Sequence, residues 1–382
     1  MQGRVRPRGL SGLLPSFLLL SLLTPLFSLS TACAPPAPDT VLLNARVFTA
    51  DPARPWAEAL AIRGDRIVAV GTTAEVGALA GAETQRRDLG GRTMLPGFND
   101  AHVVDPGLSA RDLRVFVQAA VASGITSMQW FVGERTVREA GAALVEAGTP
   151  VRFRVLRMPR PGRDGDTIDS RPHLPPQPSV RVDIRGMGFA LGELDTERLT
   201  QAVGWAYGTE DLLAIEPATD AVLGQYVDAV EQTGLPEVWT RKRPRVERAT
   251  AAAAALAPRL RRQGMVVVQR PDGTLPLKSL VQQDVLVALA TGQGAGPFEV
   301  LAWATAPDRG AEALTMGEAV TAFTKGAAYA ELTNREKGHV SVGALADLTV
   351  TSVDPFTASA DQLRGARSVL TLIGGRTVHD VP

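Results

Sequence analysis

The sequence predicts an α/β fold: a (β/α)8 TIM barrel flanked by a small β-sandwich built from the N- and C-terminal segments. Three observations carry it. Short apolar strand-like runs alternate with Ala-rich helical stretches through the middle of the chain, the pattern of βα repeats. The interval from 93 to 345 that holds them is close to the roughly 250 residues typical of such a barrel. Outside that interval, two stretches near opposite ends alternate apolar and polar residues, and neither is large enough to bury a core alone.

Taken in order, the chain opens with Arg4, Arg6 and Arg8, then an apolar run from Leu10 to Leu29 broken by Pro15 and Pro25, then the small residues Ser30-Thr31-Ala32. This is the pattern of an export signal, residues 1–32, and it is set apart from the fold. The prolines and the small-residue end count against a membrane-spanning helix. Cys33 directly follows, as in a bacterial lipobox, and is the expected lipidation site; position −3 holds Ser30, with leucine shifted to Leu29. As the single cysteine it leaves no intramolecular disulfide. Residues 33–39, rich in proline, read as a stiff linker. The expected location is the cell envelope, anchored to a membrane through the lipid and facing the periplasm or exterior.

Residues 40–92 supply the first part of the sandwich. "TVLLNARVFTAD" and "WAEALAIRGDRIVAVG" are rich in Val and Ile, with Gly64-Asp65 as a hairpin turn. Residues 346–382 supply the second part, in which "DLTVTSVDP" is followed by "RSVLTLIGGRTVHD" with a turn at Gly374-Gly375. Between them, residues 93–345 form the barrel. The run before His102 and then "ITSMQWF", "VRFRVLR", "VRVDIRGMGF", "LLAIEP", "VERA", "MVVVQR" and "VLVALA" give eight strands. "LRVFVQAAVASG", "ERTVREAGAALVEAG", "DTERLTQAVGWAYG" and "AVLGQYVDAVEQTG" are helices that stop at glycine. Pro159 to Pro178 is irregular and is expected to loop over a barrel mouth.

Composition narrows the partners. The chain carries 40 basic and 40 acidic side chains, which gives no reason to expect nucleic acid or an anionic membrane surface as a partner. The candidate chemistry begins at "MLPGFNDAHVVDPG", where Asp100 and His102 sit two apart and therefore on one face of a strand. The next position on that face is Val104, so a pair of imidazole ligands is not completed.

"DTVLLNARVFTAD", "AIRGDRIVAVG" and "LGGRTMLPGFNDAH" resemble the start of the amidohydrolase superfamily, in particular its YtcJ-like branch, amidohydrolase family 3. "KGHVSVGALADLTVTSVDP" and "VLTLIGGRTVHD" resemble that branch's closing segment, so the resemblance spans nearly all of the chain after the linker. It implies a TIM barrel with a small sandwich, a site at the C-terminal ends of the strands, and metal-assisted hydrolysis of C–N bonds. It also implies that the site is degenerate. The family's His-x-His matches His102-Val103-Val104, and its carboxylated lysine matches Met187. His-Ala-Ile-Gly-Asp matches "EPATD", with Glu216 at the histidine, and Ile-Glu-His-Ala matches "VERA", with Arg248 at the histidine. Gly-Ser-Asp matches "ATGQG" near Gln293. The chain has four histidines, and His173, His339 and His379 lie in the Pro-rich loop and the sandwich-side tail.

The remaining candidates carry two readings each. His102 is either a ligand or a polar residue hydrogen-bonded inside the barrel. Glu216 either pairs with Arg248 or joins Asp100, His102 and Asp105 in a rebuilt single-metal site. Asp220 matches a family aspartate that helps shape the site, and it also reads as a helix N-cap, which accounts for it. "TRKRPRVER" with Arg259, Arg261 and Arg262 either binds an anion or is a solvated helix face. No Gly-x-Ser-x-Gly elbow is present, and His339 has no assigned role. Asp100, His102 and Glu216 are the candidate catalytic groups, His102 and Glu216 the candidate metal ligands, and Glu216 and Arg248 the candidate ligand-binding pair. The expectation is an exported pseudoenzyme without a cofactor that binds a small molecule or an envelope protein. The alternatives are a zinc-type hydrolase of non-peptide C–N bonds working through His102 and Glu216, and a structural envelope lipoprotein.

Overall fold

In the computed structural model, which describes residues 36–133, 136–158, 182–191, 196–271, 275–292 and 295–381, the two terminal β segments meet in one sandwich. Strands Thr40–Leu43, Ala59–Arg63, Arg66–Gly71 and Gln85–Asp88 form a four-stranded sheet. A six-stranded sheet joins Arg46–Phe48, Trp56–Ala57 and Thr93–Pro96 from the first part of the chain to Leu348–Thr351, Ser368–Ile373 and Arg376–Asp380 from the last. Leu42, Leu60 and Ile62 of one sheet share a buried cluster with Met94, Leu348 and Leu370 of the other. The turn at Gly374-Gly375 has φ of 56° and 72°, and a Cβ on Gly375 would sit 2.7 Å from the Gly64 carbonyl oxygen. Only glycine meets both demands.

The barrel boundary expected at 93 is early. Thr93–Pro96 runs antiparallel to Leu348–Thr351 and parallel to Arg46–Phe48, so it belongs to the sandwich. Its residues are all buried, which makes this inner strand of the sandwich read like a barrel strand.

Eight parallel strands follow in chain order: Phe98–Val104, Ile125–Val132, Arg152–Arg157, Val182–Leu191, Leu213–Pro217, Arg245–Glu247, Val266–Gln269 and Leu286–Leu289. The intervening helices bury one apolar stripe each against them. Ala110–Ala122 buries Leu113, Val117 and Val121, and Asp220–Thr233 buries Leu223, Val227 and Val230. Asp220 is the first residue of that helix rather than its cap. Thr219 has the extended backbone a cap requires, and its hydroxyl accepts from the Val222 N–H at 3.3 Å. Asp220 still favours the helix by placing negative charge in the first turn.

Among the described residues no backbone ladder joins the eighth strand to the first. Small residues close the seam instead. Ala101, Ala288 and Ala290 pack with Ala327 and Ala330 of the short helix Ala327–Ala330. The π-helical turn Ala322–Gly326 precedes it, and Gly326 lies so close that a Cβ would be 2.3 Å from the Val287 carbonyl oxygen. Among the described residues no helix is long and apolar enough to cross a membrane. The expected export signal, Cys33 and the expected loop at Pro159 to Pro178 lie outside the described residues.

Candidate functional site

The first strand brings Asp100 and His102 inside the barrel, 1% and 4% exposed. The Asp100 Oδ1 accepts from the Thr291 N–H at 3.1 Å and the His102 N–H at 3.3 Å, and Oδ2 accepts from the Thr291 hydroxyl. Burial raises the Asp100 carboxyl above its usual range, outweighing these bonds, which pull the other way. Thr291 follows the eighth strand, so Asp100 ties that strand to the first through side-chain bonds.

The sixth strand reads Arg245-Val246-Glu247, and its two-residue period turns both charges inward while Val246 joins the helix-facing core. Arg245 is fully buried. Its Nε donates to Glu247 Oε1 at 2.7 Å, its Nη2 to the Ala101 carbonyl at 2.7 Å, and its Nη1 to Gln129 Oε1. Gln129 in turn donates to the Ala327 carbonyl at 2.9 Å. The second Glu247 oxygen meets His102 Nδ1 at 2.7 Å, and the His102 ring stacks on Phe131 with centroids 4.2 Å apart. A carboxylate facing Nδ1 requires a hydrogen there, which fixes the orientation of the ring. Burial alone would raise the Glu247 carboxyl, but the charge of Arg245, aided by His102, holds it below the usual range.

Glu216, next to last in the fifth strand, meets two guanidinium groups, Arg248 Nη1 at 2.8 Å and Arg270 Nη2 at 3.3 Å. Arg248 has φ of 49°, an uncommon backbone state for a side chain this large, and its N–H donates to the Val268 carbonyl at 2.8 Å. The carboxylate is thus ion-paired, not shared with Asp100 or His102. Val104 is 48% exposed, and Met187 lies in the fourth strand between Arg157 and Leu213. Asp105 accepts from the Gly107 N–H at 3.0 Å in a local turn. Gln293 and His173 lie outside the described residues.

The other candidates have structural partners. His339 bonds the Ser341 hydroxyl at 2.9 Å, and His379 the Ser368 carbonyl at 3.2 Å. Arg259 pairs with Asp228 and Glu231, Arg262 with Glu231, and Arg261 with Asp284, so these three form an ion-paired helix face, whereas Arg245 of the same cationic stretch is buried in the sixth strand.

The metal centre implied by the family resemblance can be tested on these donors. Asp100 is engaged by Thr291, Glu247 by Arg245 and His102, and Glu216 by Arg248 and Arg270. Among the described residues no three His, Cys, Asp or Glu side chains come together in a way that would hold an ion. Among the described residues the rebuilt site at His102 and Glu216 is not assembled: Glu216 is held by Arg248 and Arg270, Asp100 by Thr291, and His102 by Glu247. The described donors do not fit the metal.

Arg245 and Glu247 fall within the cationic stretch "TRKRPRVER" but were not singled out there, and Gln129 was not a sequence candidate. Their signal was available: two charges in phase within an otherwise apolar barrel strand must be paired if buried.

Residues 109–379 match the sequence profile of the amidohydrolase family, and the chain belongs to that family, in its family 3 branch. The N-substituted formamide deformylase of Arthrobacter pascens is 41% identical over 164 residues, 39% of this chain and 30% of that one. The chain spans 30% or less of the length of the curated relatives it matches. An uncharacterized metal-dependent hydrolase from Pyrococcus furiosus superposes with a TM-score of 0.69 at 12% identity, over 83% of this chain and 100% of that one. A zinc-bound adenosine deaminase from Xanthomonas campestris gives 0.66 at 18% identity, over 91% and 94%. These likenesses establish the fold.

Proposed function

We propose that this amidohydrolase-family protein is a non-catalytic binder that presents a small ligand or a partner surface at the old barrel mouth. One observation carries the reading: the buried Arg245 guanidinium, with its bonds to Glu247, Gln129 and Ala101, fills the barrel interior beside His102. Its pairing with Glu247 occupies the carboxylate nearest His102, leaving neither side chain free to ligate a divalent ion. Barrels tolerate such a change because their core layers and their mouth are separable parts.

A second reading is metal-dependent hydrolysis of non-peptide C–N bonds. The 41% identity to a formamide deformylase over 164 residues favours it. Assay of N-methylformamide and larger N-substituted formamides, with zinc or manganese added to the full chain, separates the two. The expected result is release of formate at the rate of the protein-free blank. Turnover that rises with added metal and disappears in Glu216→Gln would establish the hydrolase instead.

A further inference from the structure

At the opposite end of the eighth strand from Thr291, a cavity of about 750 Å³ opens between the sandwich and the last helices of the barrel. That volume is within the roughly 300–1,000 Å³ of small-molecule sites. One wall is the loop between Arg46–Phe48 and Trp56–Ala57, stiffened by Phe48, Trp56 and Phe356, whose rings meet edge-on or tilted at 4.6–5.2 Å. The facing wall is the start of the eighth strand, where Leu286 remains 40% exposed beside Val285 and Val287. The third side is the π-helical turn Ala322–Gly326, which carries Lys325. Single π turns concentrate at functional positions.

The charges lining this space are unequally satisfied. Both Glu318 oxygens are taken by Lys278, at 2.5 and 2.7 Å, and Oε2 also caps the helix at Thr315. Asp284 pairs with Arg261 at 3.3 Å, and Asp51 accepts from the Ala53 N–H at 3.0 Å. Lys325 has no ion pair among the described residues, and its Nζ reaches only the Ala50 carbonyl, at 3.5 Å. A half-buried ammonium beside uncovered apolar side chains leaves both a charge and a surface to be satisfied.

We propose that this cavity binds an amphipathic monocarboxylate of the medium-chain fatty acid type, its carboxylate on Lys325 and its chain against Phe48, Pro55, Val285 and Leu286. A single ammonium calls for a single negative charge, and Asp51 on the same lining disfavours a dianion. The site is independent of the barrel mouth, so it stands whether or not the protein hydrolyses amides.

Titration calorimetry of the full chain with octanoate, octylamine and octanol tests it. Wild type should bind octanoate more tightly than octylamine. Lys325→Met should weaken octanoate about tenfold or more and leave octanol within about twofold, as expected when one charged hydrogen bond is lost. Equal affinity for octanoate and octylamine on wild type would overturn the proposal even if the variant did not fold. Absence of octanoate binding, or an unchanged affinity in Lys325→Met, would do the same.

Discussion

Replacing Arg245 with methionine should lower the unfolding free energy by about 3–5 kcal/mol, the range seen when one partner of a buried ion pair is removed. Methionine fills much of the same volume, so the loss reports the charge and its bonds more than a cavity. It would strand the Glu247 carboxylate, 2% exposed, with His102 alone, and would leave Gln129 Oε1 and the Ala101 carbonyl without their donor. Glu247 titrates below its usual range in the folded chain, so it contributes stability above the normal carboxylate pKa and loses that contribution as pH falls. The deficit of Arg245→Met should accordingly be full near neutral pH and shrink on acidification. Urea denaturation followed by circular dichroism at neutral and acid pH measures both. A loss under about 1 kcal/mol would mean that the guanidinium is not the hub of the barrel interior.

Asp347→Ala should cost about 2–3 kcal/mol by the same measurement, the loss expected for hydrogen bonds to a charged group. Arg152, at the start of the third barrel strand, grips Asp347 with both Nε and Nη2, at 2.7 and 3.0 Å. The Gly374 N–H donates to the same carboxylate at 2.7 Å. One side chain therefore fixes the barrel, the glycine turn and the strand Leu348–Thr351 that follows it. Because Arg152 is 18% exposed and reachable by water, the loss should fall short of that for Arg245. Asp347→Asn should retain part of the stability, since an amide oxygen still accepts from Gly374. Equal stability of Asp347→Ala and wild type would remove the clamp.

Much of this architecture was legible in the sequence because the period of a strand or helix is a local property. All eight barrel strands fall where apolar runs place them, and the turns at Gly64 and Gly374 fall where the glycines do. The boundary at 93 was not legible, since a strand buried on both faces reads alike in a sandwich and in a barrel. The site was legible in part. His102 and Asp100 stood out by type and spacing, and Glu216 with Arg248 by their places in the family motifs. The bond between His102 and Glu247 joins residues 145 apart in sequence, and that between Asp100 and Thr291 joins residues 191 apart. No local pattern encodes such a meeting; only the closed barrel brings it about.

The metal content of the full chain, purified with excess zinc and then dialysed, tests the central claim most directly. With Asp100, Glu247 and Glu216 all engaged by protein donors, zinc should remain far below one ion per chain, and His102→Ala should not change it. One tightly held ion per chain, lost in both His102→Ala and Glu216→Gln, would contradict the account and return the protein to the metal-dependent hydrolases.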